Sequence, residues 1–168
     1  MNMIPQQVPA EQLGSLIPHR GKMVLLSRIS SHDTERNRIV AEYDVTENCI
    51  LYDEELKGVP AWAGFEMMAQ SISALSTIRQ LSSGGEGSPA PGVILSVSGF
   101  ESSVASVAAG KTVELRVCEA YRDGSVCRYD CEMYEKGAPG PVATTAITVM
   151  GIEDMNSFFE GRGVGYGN

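Results

Sequence analysis

In the stretch "VPAWAGFEMMAQSISAL", residues 59–75, a single carboxylate, Glu66, stands among apolar and small residues. Taking an ionised glutamate into such surroundings is costly unless it is paired or hydrogen-bonded. Two readings share the residue evenly. Glu66 belongs to a solvent stripe or subunit seam, or it is a general acid/base with a pKa raised in an apolar pocket. Gln70, one helical turn on, is placed to orient it by hydrogen bonding. Upstream, Pro60 suits a helix start, where its missing N–H leaves nothing unpaired. The amides of Ala61, Trp62 and Ala63 would then have no partner inside the helix and would lie at the positive end of its dipole. An acyl carbonyl placed there would be polarised as in an oxyanion hole. Every helix has such an end, so the amides gain meaning only together with Glu66, as an acyl-thioester site.

The second chemical candidate is His19, in "IPHRGKMVLL"; a lone histidine is more often structural than catalytic. His32, in "SSHDTER", reads as a loop residue. Arg20 and Lys22 form a small basic spot that could meet an anionic group such as the phosphopantetheine of a carrier protein, although a solvated loop is the simpler account. The chain as a whole carries a formal charge of −8 and has no sizeable basic patch, which argues against nucleic acid as a partner. Cys49, Cys118, Cys127 and Cys131 form no CxxC pair, and with two histidines no metal site is expected. Cys127 and Cys131 share a strand face, where packing rather than bonding is expected, in a reducing compartment.

These residues must be positioned by a chain of 168 residues, enough for one domain. Residues 9–17 read as a short helix or turn. Two strands, 22–30 and 37–45, flank the polar "SHDTER", and 46–59 reads as an irregular connection. From Pro60 to about residue 80 a helix is expected, with Trp62, Phe65, Ala69, Ile72 and Ser76 on one face and Met68, Leu75 and Ile78 widening it. Its many alanines, glycines and serines predict burial nearly all round. After a loop at 82–92, strands are expected at 93–100, 111–121, 125–135 and 141–152, the last three as an antiparallel meander. One long apolar helix with about six antiparallel strands implies an α+β domain over 1–152, a sheet curled around the helix, and a flexible glycine-rich tail at 153–168. No run of apolar residues is long enough for a membrane-spanning helix, and "MNMIPQQVPAEQLGSL" lacks the pattern of a signal peptide, so a cytoplasmic protein is expected.

Two segments carry a family resemblance. "LIPHRGKMVLLSRI" (16–29) resembles the opening of hotdog-fold β-hydroxyacyl-[acyl carrier protein] dehydratases, a Pro-His-Arg followed by an apolar strand. "VPAWAGFEMMAQSISAL" looks like the start of their central helix, with Glu66, Met67, Met68, Ala69 and Gln70 matching its Glu-x-Met-Ala-Gln core. The order and the strand meander extend the likeness over residues 13–152, and it is similar within that superfamily to the dehydratase-like proteins of aryl-polyene and related lipid gene clusters. The resemblance implies a hotdog dimer, homomeric or with a related hotdog chain, that takes β-hydroxyacyl thioesters from acyl carrier protein or CoA. No cofactor beyond that phosphopantetheine arm is implied. Glu66 falls on the family's catalytic carboxylate.

The family's catalytic histidine is missing from its usual place. Counting back from Glu66 by the family spacing lands on Tyr52, and no histidine follows His32. Three accounts stand open: His19 reaches the site and acts as base; Tyr52 replaces the histidine, a poor base with an ordinary pKa near ~10; or a partner hotdog chain supplies the histidine to a subunit inactive alone. The leading function is a dehydratase-like protein of fatty-acid or polyene synthesis. The alternatives are a hotdog thioesterase, in which the carboxylate activates water, and a non-catalytic carrier-binding subunit.

Overall fold

The computed structural model describes residues 4–85, 88–89 and 92–152; the tail expected at 153–168 and part of the 82–92 loop lie outside them. A 3-10 turn at Ala10–Ser15 and another at Gly21–Met23 precede β1 (Arg28–Asp33) and β2 (Arg38–Asp44). A short β3 (Gly58–Pro60) and a 3-10 turn (Ala61–Ala63) lead into α1 (Gly64–Ser82). Then come β4 (Gly92–Ser102), β5 (Ser106–Ala108), β6 (Thr112–Asp123), β7 (Val126–Glu135) and β8 (Ala143–Gly151). The main sheet has six antiparallel strands in the order β1-β2-β6-β7-β8-β4, and β3 pairs with β5 in a separate ladder. This is the α+β hotdog arrangement, with the expected meander β6-β7-β8.

The strands follow the period of two that a sheet with one covered face requires. Ile39, Ala41 and Tyr43 on β2, Val113, Leu115 and Val117 on β6, and Cys127, Tyr129, Cys131 and Met133 on β7 are buried. Their neighbours Arg116, Cys118, Arg128 and Asp130 are exposed. Cys127 and Cys131 pack side by side on the inner face as free thiols. α1 packs across β2, β6, β7 and β8, and none of its residues from Gly64 to Leu81 is exposed.

Three expectations need correction. The core side of α1 is Met67, Met68, Ser71, Ala74, Leu75 and Ile78, whereas Trp62 precedes the helix and is 55% exposed. A helix covered on nearly all sides has little amphipathic period from which to choose a face. Residues 22–27 are not strand; β1 starts at Arg28 and runs to Asp33. The hairpin turn is therefore shorter than "SHDTER" suggested, with Asn37 at φ 47°, a left-handed conformation that asparagine tolerates. The 46–59 connection ends in β3, which pairs with β5 so closely that a Cβ on Gly58 would run into the Val107 carbonyl. Three-residue strands are too short to show a period in sequence.

Two features of the sheet bear on function. β4 is an edge strand beyond the cover of α1, exposed on both faces and carrying Ile94, Leu95, Val97 and Phe100 at the surface. At the other edge, Arg28 ties β1 to β2, donating to Glu42 at 2.8 Å and to Asp44 at 2.9 and 2.6 Å. Glu42 is buried and also accepts from Ser30 (2.7 Å) and Lys136 (2.8 Å). Burial pushes the Glu42 carboxyl up, but the hydrogen bonds from Lys136, Ser30 and Arg28 outweigh it and hold the pKa below its usual value. Asp44 is held low chiefly by Arg28. Both bind protons less readily when folded, so their stabilisation is complete above the unfolded carboxylate pKa and is lost as pH falls through the folded values. Taking the protein from about pH 6 to about pH 3 should therefore lower the melting temperature less for Glu42→Gln than for the wild type. Equal slopes would remove this network from the acid response.

Candidate active site

His19 is positioned by its neighbours in the Pro-His-Arg segment. Pro18 restricts the backbone on one side. On the other, Arg20 folds back and donates to the carbonyls of Ile17 (2.6 Å) and His19 (2.7 Å), bracing the turn. The basic spot expected from Arg20 and Lys22 is thus partly a structural brace. His19 Nε2 lies 3.4 Å from Glu66 Oε1, and both side chains are 28% exposed. That is a close approach just longer than a good hydrogen bond. Nδ1 of the same ring is buried without a partner among the described residues. Nε2 is therefore the ring nitrogen that faces Glu66.

Gln70 connects the two halves of this pair. Its carboxamide is fully buried. Oε1 accepts from Leu25 N–H at 2.8 Å, while Nε2 donates to Met23 O at 2.8 Å and to Glu66 Oε1 at 3.1 Å. This explains why the apolar run after His19 is not strand: Gln70, rather than a neighbouring strand, satisfies backbone groups on both sides of Val24. The glutamine placed one turn after Glu66 donates to it, and it also bonds the segment that follows His19.

The pair lies at one end of a cavity of about 810 Å³ running along α1. Ala69, Ile72, Ser73 and Ser76 line its helix side, and Ile94, Val149 and Ile152 contribute from the sheet side. Arg79, Arg122 and Tyr129 line it too, and the sequence reading missed them. Arg79 was legible as a charge in an otherwise apolar helix, but only the fold brings the β6–β7 hairpin alongside it. A larger cleft of about 1250 Å³, lined by Asp33, Arg38, Arg116, Arg128 and Glu132, lies on the outer face of the sheet, away from His19 and Glu66.

The other candidates are not assembled with the pair. Tyr52 does not line the cavity; it packs against the core, and its N–H donates to Cys49 O at 3.0 Å. Desolvation, then the carboxylates of Glu47, Glu54 and Asp53, raise its pKa, which leaves still less phenolate available to act as a base. The Ala61 amide is taken by Ala105 O at 2.9 Å, which removes it from the oxyanion donors expected at the helix start. Trp62, expected to contact substrate, is at the surface and outside the cavity lining.

Replacing Gln70 by Met should leave the Leu25 N–H and Met23 carbonyl unsatisfied and cost about 2–3 kcal/mol in denaturant melts. Faster hydrogen exchange at the Leu25 amide should accompany the loss. Unchanged exchange there would show that the loop does not depend on the amide.

The ApeP-like family, described as ApeP dehydratase, matches residues 11–160. Among solved structures, the dehydratase heterocomplex ApeI:P from Xenorhabdus doucetiae is similar with a TM-score of 0.77 at 17% identity, covering 88% of this chain and 95% of that one. A hypothetical thioesterase with coenzyme A from Streptococcus pneumoniae gives 0.56 at 10% identity, covering 74% and 84%. The E. coli PaaI protein from the phenylacetic acid degradation operon gives 0.55 at 14%, covering 74% and 78%. At these identities the structures speak for the shared hotdog fold. No curated protein sequence matches the chain. The family match takes in the His19 turn, the Glu66 helix and the whole sheet, so the chain belongs to the ApeP-like dehydratase family and is a dehydratase-like hotdog protein.

Proposed function

We propose that this chain dehydrates β-hydroxyacyl thioesters carried on the phosphopantetheine of acyl carrier protein or on CoA, with His19 as base and Glu66 as acid. The single observation that supports the reading is the 3.4 Å approach of His19 Nε2 to Glu66 Oε1 within one chain, at the end of a cavity open to an acyl chain. Neutral His19 takes the α-proton, and the C–H electron pair becomes the new C=C bond. The β C–O bond breaks, and the protonated Glu66 carboxyl gives its proton to the departing hydroxyl, which leaves as water. The products of the step on the protein are an imidazolium and a carboxylate. At this distance they attract one another, and the Gln70 N–H also stabilises the carboxylate. Proton transfer between them, directly or through water, resets the pair.

This favours the first of the three accounts of the missing histidine. Removing either group should lower turnover by at least about 10²-fold. His19→Ala and Glu66→Gln, assayed by loss of water from a 3-hydroxyacyl carrier-protein thioester, should both show this drop while melting as cooperatively as the wild type. Wild-type rates in both variants would sink the assignment, and release of free thiol in place of water would identify a thioesterase.

The partner is a second hotdog chain, and β4 is where it docks. A long edge strand with apolar side chains on both faces invites pairing with another strand, and the similar structure from Xenorhabdus doucetiae is itself a heterocomplex. Val97→Lys, a charge on that edge, should weaken assembly on the order of tenfold, measured by sedimentation of the chain alone and with a co-expressed hotdog dehydratase subunit. Undiminished assembly in both samples would place the interface elsewhere.

A further inference from the structure

The cavity that begins at His19 and Glu66 carries charged groups at its far end, beside the apolar Ile94, Cys127 and Val149. Arg79 follows Glu66 by thirteen positions on α1, a rise of about 20 Å. There the cavity is lined by Arg79, Gln80, Ser83, Arg122, Ser125 and Tyr129. The inward stripe of β6, apolar at Val113, Leu115 and Val117, continues into Glu119, whose side chain is only 9% exposed. Glu119 accepts from both nitrogens of the Arg122 fork, from Arg79 at 3.3 Å and from the Tyr129 hydroxyl at 3.3 Å. Two guanidiniums face one carboxylate, so the described residues give this end of the cavity one positive charge in a chain whose net charge is −8. Arg122 gives Glu119 two of its five N–H groups. Arg79 gives Glu119 a single N–H of the several its guanidinium carries.

A methyl-ended acyl chain suits the Ile94, Cys127 and Val149 side of that end but leaves the guanidiniums unserved. It would strip water from two guanidiniums and offer no hydrogen bond in return. An oxyanion would meet charge-assisted donors in a partly desolvated site, where such bonds are strong.

We infer that Arg79 and Arg122, braced by Glu119, are a second recognition point that binds an oxyanion of the substrate about 20 Å along α1 from the reacting carbon. The inference rests on the proposed acyl-thioester function and specifies the substrate further. The oxyanion has two sources: a carboxylate at the far end of the acyl chain, or the phosphate of the pantetheine arm if the arm, rather than the acyl tail, lies along α1. In either case Arg79 selects the substrate and takes no part in proton transfer.

The test uses three inert 3-hydroxyacyl pantetheine analogues with the thioester sulfur replaced by NH. One is methyl-ended and lacks phosphate, one carries a terminal carboxylate, and one is methyl-ended with the 4′-phosphate. Calorimetry on the wild-type chain should show one of the two anionic analogues binding on the order of tenfold tighter than the neutral one, with the advantage reduced by added salt. The carboxylate analogue winning assigns the tail, and the phosphate analogue winning assigns the carrier arm. Arg79→Gln should erase the advantage by weakening the favoured anionic analogue on the order of tenfold, in a protein that still melts cooperatively. Glu119→Gln, which removes the competing carboxylate and keeps both guanidiniums, should enlarge it. Equal binding of all three analogues by the wild-type chain overturns the inference alone. Binding of none of them overturns the acyl-thioester function and the inference with it.

Discussion

The Gln70 carboxamide accepts from the backbone of Leu25 and donates to the backbone of Met23 and to Glu66. These contacts join a helix to a loop far away in sequence, and each half of the site sits on one of them. Both amide hydrogens and the carbonyl oxygen are engaged in a fully buried setting, so the geometry has one solution. Rotating the amide would place an N–H against Leu25 N–H and a carbonyl against Met23 O. A buried polar group of this kind specifies a structure because its alternatives are all unsatisfied. The separation of His19 and Glu66 is a consequence of that constraint more than of the contact between them, which is longer than a good hydrogen bond.

Much of this was legible in the sequence, for identifiable reasons. Glu66 and Gln70 are polar residues in an apolar helix, and each stands out because desolvation makes such placements costly. The strand meander announced itself through alternation. His19 was legible as one of three accounts of the missing base, and only the fold separates them, because proximity across the fold has no signature in a single sequence. Counting back from Glu66 led to Tyr52 because a spacing rule assumes an unchanged loop. Here the 46–59 connection turns the tyrosine onto the core instead. The 22–27 segment reads as strand by composition, but it opens in a 3-10 turn and its Leu25 N–H and Met23 O are taken by the Gln70 side chain instead of a strand.

The charged clusters on the sheet follow one logic on opposite faces of two adjacent strands. Glu42 and Glu119 each occupy a position on a strand where the charge must be compensated on the spot, and each is met by more than one cation. Around Glu42 the cations come from β1 and from the turn after β7, and the result is a tie between strands. Around Glu119 they come from α1 and the end of β6, and the same chemistry opens onto a cavity. Location, rather than residue type, separates a structural ion cluster from one available to a ligand.

The ladder of β3 with β5 has a mechanical consequence. β4 leads within a few residues into β5, β5 is clamped to β3 across Gly58, and β3 runs through Pro60 straight into the helix that bears Glu66. The Ala61 amide on the Ala105 carbonyl closes the same link a second time. Between the outer edge strand and the carboxylate there is no slack segment to absorb a displacement, so the edge and the helix start behave as two ends of one short lever.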